Sequence, residues 1–115
     1  LQKGKIGEAK AINYLKKLGY TIIQTNFRCS FGEIDIIAQD QGVLVFLEVK
    51  SRKNLAFGYP SEAIGYKKQL NISKAAITYI KQNNLFNTPM RFDVVEILGD
   101  DIKLIKDAFS SNIRY

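Results

Sequence analysis

Two apolar runs lie on either side of Asp40-Gln41-Gly42, one holding Ile34, Ile36, Ile37 and Ala38, the other Val43 to Leu47 and Val49. Runs of this length that flank a glycine turn read as two β-strands, Glu33 to Gln39 and Val43 to Ser51, joined in a hairpin. The constraint is that charged residues stand inside them. Asp35 interrupts the first run, and Glu48 and Lys50 interrupt the second. A charge in a buried strand costs several kcal/mol unless it is paired or bound to a metal. A fold for this chain must therefore bring partners to these three side chains.

The turn fixes how they meet. With Gln41-Gly42 as a two-residue loop, Asp40 pairs with Val43. Counting outward then sets Asp35 opposite Glu48, and Glu33 opposite Lys50. Opposed residues share a face, with Cβ atoms roughly 4.5–5.5 Å apart. A three-residue loop with regular pairing would send Glu48 to the other face. Two facing carboxylates repel unless a cation lies between them. Lys50 supplies part of that charge, and Mg²⁺ or Mn²⁺ fits better, because hard cations take carboxylate and carbonyl oxygens. The Val49 carbonyl is a further candidate ligand. Glu8 can join if its helix crosses the sheet edge, although an acid near a helix N-terminus is also favourable by itself. The same spacing also fits a cross-strand ion pair on a solvated face. Clustering in near-continuous apolar strands favours a metal site.

Ile6, Ala9, Ile12, Leu15 and Leu18 recur at helical spacing, which predicts a helix over Lys3 to Leu18, stopped by Gly19. Tyr20 to Gln24 reads as a strand and Asn26 to Gly32 as a polar loop. After a loop over Arg52 to Pro60, Ser61 is a candidate N-cap for a helix over Glu62 to Gln82, with Gly65 weakening its first turn. Met90 to Leu98 and Ile102 to Ile105 read as strands around Gly99-Asp100-Asp101, and the tail from Asp107 as irregular. The order α-β-β-β-α-β-β gives an α/β (α+β) fold, a mixed β-sheet flanked by helices.

At 115 residues the chain, 1–115, is expected to form one domain. Leu1 in place of an initiator methionine leaves room for a short segment upstream. No run matches a signal peptide or a membrane span. The chain has one cysteine, Cys29, which excludes an internal disulfide, fits the cytoplasm and reads as a small buried or loop residue. It has no histidine, which excludes Ser-His-Asp and Cys-His catalysis and histidine-ligated zinc. Hydrolysis would then use carboxylates, lysine and a hard metal ion. A net charge of +6 favours a polyanionic partner, nucleic acid before membrane.

Asp35, a strand-turn-strand interval and Glu48-Val49-Lys50 resemble the motif of the PD-(D/E)XK nuclease superfamily, whose fold is restriction-endonuclease-like. The match is closest to the bacterial YraN-type family. It extends over Gly7-Glu8-Ala9, Tyr14-Leu15, Asn26-x-Arg28, Gly32 to Ala38, Val45 to Arg52, Phe57-Gly58, Lys68-Gln69, Arg91 to Val95 and Ile105 to Phe109, nearly the whole chain. The resemblance implies an endonuclease that hydrolyses phosphodiester bonds in DNA, branched or damaged, with Mg²⁺ or Mn²⁺ as cofactor. It implies Asp35 and Glu48 as metal ligands, Glu8 as an outer or second-metal ligand, and Lys50 orienting the attacking water. Such folds carry a polar residue facing the site early in the second helix, a place held here by Lys68 and Gln69, which equally fit a solvated helix face.

Arg28, Arg52, Lys53 and Lys67, with Gln69, are candidate nucleic-acid contacts, and Tyr59 and Tyr66 are available for sugar or base. Each also fits an ordinary surface residue. Arg91 and Asp93 share a strand face as a structural pair. Cutting both strands of a symmetric substrate would call for a homodimer. A non-catalytic nucleic-acid-binding module with structural acids is the alternative, and a partner-recruiting domain without nucleic acid a third.

Overall fold

The computed structural model describes residues 3–52 and 64–110, with side chains described over 6–51 and 64–110. Helix α1 (Lys3–Lys17) is followed by strands β1 (Thr21–Cys29), β2 (Gly32–Asp40) and β3 (Val43–Arg52), helix α2 (Tyr66–Gln82), and strands β4 (Met90–Leu98) and β5 (Asp101–Phe109). The strands form one sheet in the order β1-β2-β3-β4-β5. All neighbours are antiparallel except β3 and β4, which are parallel, with α2 in the crossover. The expected α+β order and mixed sheet are those observed.

β3 is central and covered on both sides, which explains its near-continuous apolar run. Leu44 and Phe46 pack with Ile72, Ala75, Ala76, Tyr79 and Ile80 of α2. Val45 and Leu47 pack with Ala11 and Leu15 of α1 on the opposite face. Phe46 is 1% exposed, and full burial of a side chain of its size stabilises the fold by about 2–3 kcal/mol. Glu48 is in step with Leu44 and Phe46 and so faces α2.

Gly19 ends α1 as the sequence predicts. Its φ is +96°, and Tyr20 N–H reaches the Leu15 carbonyl while Gly19 N–H reaches that of Lys16, a Schellman cap. The β2–β3 loop is the two-residue Gln41-Gly42, both at positive φ, the backbone of a type I′ hairpin. Asp40 pairs with Val43 as expected, and the ladder runs on to Ile36 with Leu47.

Three expectations change. Asn26 to Cys29 is strand rather than loop: β1 runs to Cys29, which pairs with Gly32 across the Ser30-Phe31 turn. A bulge between Ile22 and Gln24 and a left-handed Asn26 (φ +54°) hide the alternation. β5 reaches Phe109 instead of stopping at Ile105. There the register shifts between Phe92 and Val94, with Asp107 left-handed. α2 begins at Tyr66, because Gly65 is extended and Ile64 lies outside the helix. The expected cap Ser61, Glu62, and the candidates Lys53 and Tyr59 lie outside the described residues.

Candidate functional site

The ladder between β2 and β3 stops just before the acids. Beyond Ile36–Leu47, the Val49 N–H donates instead to Oδ2 of Asp35, at 2.8 Å. The alternation of β2 also slips here: Ile34 and Ile37 both pack on the α2 side, whereas Ile36 packs on the α1 side. Asp35 is thus tied sideways to the β3 backbone. In a strand, the N–H and C=O of one residue project to the same side, so the Val49 carbonyl also faces the Asp35 side.

Glu48 is 5% exposed. Its carboxyl is pushed up to about 8, by burial first and then by the hydrogen bond and charge of Asp35, with Lys68 and Lys50 pulling the other way. Asp35 therefore lies close enough to Glu48 to disfavour its charged form. Glu48 Oε2 is fully buried and accepts no hydrogen bond. Lys68 Nζ, from the first turn of α2, forms an ion pair with it at 3.7 Å, too long for a hydrogen bond.

The remaining candidates fall around this pair. Lys50 is half-buried, and its register neighbour on β4 is Glu96, itself 6% exposed. Glu33 is not opposite a paired Lys50: it accepts from Arg28 Nε at 2.8 Å across β1 and β2. Its partner comes from β1 because the β2–β3 ladder ends before reaching it. Glu8 accepts from Asn26 Nδ2 at 2.7 Å. Among the described residues no three acids converge as a metal-binding group, so Glu8 does not complete one with Asp35 and Glu48. Gln69 donates to the Ile64 carbonyl, and Lys67 and Tyr66 are exposed. Arg52 closes β3, and its side chain is outside the described set.

Sequence reasoning gave no role to Glu96 or Asn26. Glu96 carried a signal, an acid within the apolar strand Val94 to Ile97. Asn26 stood in the matched Asn26-x-Arg28 motif, but its bond to Glu8 carried no local signal, since it depends on the bulged path of β1. The Arg91–Asp93 pair is present and belongs to a larger network on the α1 face. Asp93, wholly buried, accepts from Arg91, from the Tyr20 hydroxyl and from the Asp107 N–H. Arg91 also donates to Asp40 at 2.8 Å. This network fixes the β5 bulge and stands apart from Glu48, on the other face of the sheet.

Fold and site together define an α+β protein whose mixed sheet carries a buried glutamate beside a half-buried aspartate, with two lysines, near the carboxyl end of its central strand. The model of the uncharacterised protein family UPF0102 matches residues 7–97. A UPF0102 protein of Caldicellulosiruptor saccharolyticus is 47% identical over 112 residues, covering 92% of this chain and 95% of that protein. Relatives of the same description from Geotalea daltonii (51% identical; 92% and 87% covered) and Caldicellulosiruptor bescii (50%; 94% and 97%) are similar over nearly their whole lengths. The chain belongs to the UPF0102 family. No helix among the described residues is long and apolar enough to cross a membrane.

Proposed function

We propose that this protein is a Mg²⁺- or Mn²⁺-dependent endonuclease of the PD-(D/E)XK superfamily, YraN-type, that hydrolyses phosphodiester bonds in nucleic acid, with branched or damaged DNA as its expected substrate. One observation carries the reading: Glu48 Oε2 is buried without a hydrogen bond, beside Asp35. A buried oxygen with no donor is costly, and a cation held between the two carboxylates would remove that cost. The donor set is hard oxygen, which suits Mg²⁺ or Mn²⁺. Asp35, Glu48 and the Val49 carbonyl would hold the ion, with water and substrate phosphate completing its shell. Glu8 would act from outside it.

When bound, the metal supplies a lowered water pKa and charge neutralisation at the phosphate. The chain's own residues do the rest. The Val49 N–H holds Asp35 in place, so the acid does not have to be ordered when substrate arrives. Lys50 would hydrogen-bond the attacking water and offset charge growing on the phosphate oxygens. Lys68, half-exposed, balances Glu48 and is free to turn toward a phosphate. Overall, water oxygen bonds to phosphorus, the phosphorus–oxygen ester bond breaks, and the leaving oxygen takes a proton.

The absence of a three-acid group among the described residues favours one other reading, a non-catalytic nucleic-acid-binding module. The test is cleavage of linear, branched and single-stranded DNA with Mg²⁺ or Mn²⁺ by the wild type, Asp35→Asn and Glu48→Gln. Metal-dependent cutting lost in both variants supports the endonuclease. Salt-sensitive binding that needs no divalent metal, with no cutting, supports the module.

A further inference from the structure

Helix α2 carries Lys67, Lys68, Lys74 and Lys81 and, from Tyr66 to Gln82, no acidic residue. Two of the lysines occupy the first turn, where the helix dipole favours acids. That placement is unfavourable for the helix alone, and it concentrates positive potential at the end of α2 that meets Glu48. Lys67, Lys74 and Lys81 recur every two turns, so they share a face at intervals of about 10 Å.

The β1–β2 turn brings an aromatic ring to this stripe. Phe31 is 43% exposed, and Lys74 Nζ sits 5.4 Å from the centre of its ring. Arg28, on the same hairpin, has a side chain 78% exposed. It spends Nε on Glu33, and its fork has further N–H donors. Lysines beside an exposed ring make the combination that tracks a nucleic-acid strand, with phosphates on the cations and a base on the ring. A base inside a duplex has no free face to offer. Along the axis, Lys74 is about 9 Å from Lys68, the lysine paired with Glu48. Lys68 lies about 120° round the helix from Lys74, so a strand that reaches both crosses α2 obliquely.

Resting on the endonuclease reading, we infer that Phe31 and Lys74 form a stacking platform for an unpaired base. The substrate at this site is then single-stranded or locally unpaired nucleic acid, its backbone held by Lys67, Lys74 and Lys81.

The chain has no tryptophan, so Phe31→Trp introduces a lone indole reporter. A single-stranded 20-mer and its duplex are titrated in EDTA at low salt, which prevents cleavage. The single strand should quench the indole and bind at least tenfold more tightly than the duplex. Phe31→Ala and Phe31→Leu should each weaken single-strand binding by about five- to a hundredfold and leave duplex binding unchanged. Lys74→Gln should reduce the salt slope by about one. Equal affinity for single strand and duplex, or full affinity in Phe31→Ala, would overturn the inference. Quenching by the single strand in a protein that cuts nothing would sustain the platform and remove the nuclease. Metal-dependent cutting of duplex without quenching would do the reverse.

Discussion

The Val49 N–H and the Asp35 carboxylate stand where the β2–β3 ladder would have continued, and their 2.8 Å hydrogen bond closes the gap. A side chain thus takes the place of a backbone carbonyl, and one of the two site acids is fixed to the strand that carries the other.

That bond separates structure from chemistry. Asp35→Asn keeps an acceptor oxygen for Val49 and should melt within about 0.5 kcal/mol of the wild type in urea, while losing metal binding. Asp35→Ala strands the N–H and should cost about 1–2 kcal/mol. Equal stability of the two variants would show that the bond contributes nothing.

Glu48 gives a pH signature in metal-free protein. Its folded pKa, near 8, lies above the usual glutamate value of 4.5. The folded state then holds a proton that the unfolded state has released. This contribution is complete below about pH 4.5 and is lost as pH rises toward 8, by up to about 1.4 kcal/mol per unit. Relative to Glu48→Gln, the wild type should become progressively less stable over that range. Parallel pH profiles of the melting temperatures would refute the assignment.

Arg91 should govern acid tolerance. Its hydrogen bond is the main cause holding Asp40 below the ordinary carboxylate value. The stability from Asp40 is complete above about pH 3.8 and is lost as pH falls through the lowered folded value. Arg91→Ala also leaves the buried Asp93 without its cation and should cost about 3–5 kcal/mol at neutral pH. Urea melts from pH 2.5 to 7 measure both effects. At the alkaline end, Tyr20, pushed up by burial and by Asp93, should cost stability above about pH 10 as the unfolded chain ionises.

Calorimetric titration tests the metal directly. Mg²⁺ or Mn²⁺ should bind the wild type, and the Asp35→Ala, Glu48→Ala double variant should give no heat of binding beyond dilution. Equal binding by both proteins would move the ion elsewhere.

The parts of the fold legible in the sequence are those set by local chemistry. Gly19 is a helix stop because φ near +96° suits it, and Gln41-Gly42 dictates a two-residue hairpin whose register follows by counting. Asp35 and Glu48 lie one step beyond the last pair of that count, Ile36 with Leu47, where the ladder has stopped. What escaped the sequence is set by distant partners. β1 and β5 run past their expected ends because bulges break the alternation, and the one in β5 is held by Asp93 from β4. Glu33 chose Arg28 because β2 had already left β3. Lys68, placed near the site by the family resemblance alone, reaches Glu48 through the crossover, which no spacing within either element encodes.

The parallel pairing of β3 with β4 has a consequence for synthesis. Leu44 meets Met90 and Arg52 meets Leu98, so the middle of the sheet closes only after α2 and β4 have left the ribosome. Antiparallel hairpins such as β1–β2–β3 form from local contacts, whereas a long crossover closes late. A nascent chain cut short before α2 would carry Asp35 and Glu48 on a three-stranded meander with the face that α2 covers left bare. The acids would be present there, but without the burial that shifts Glu48, so this chain can acquire its chemistry only once α2 has docked on the sheet.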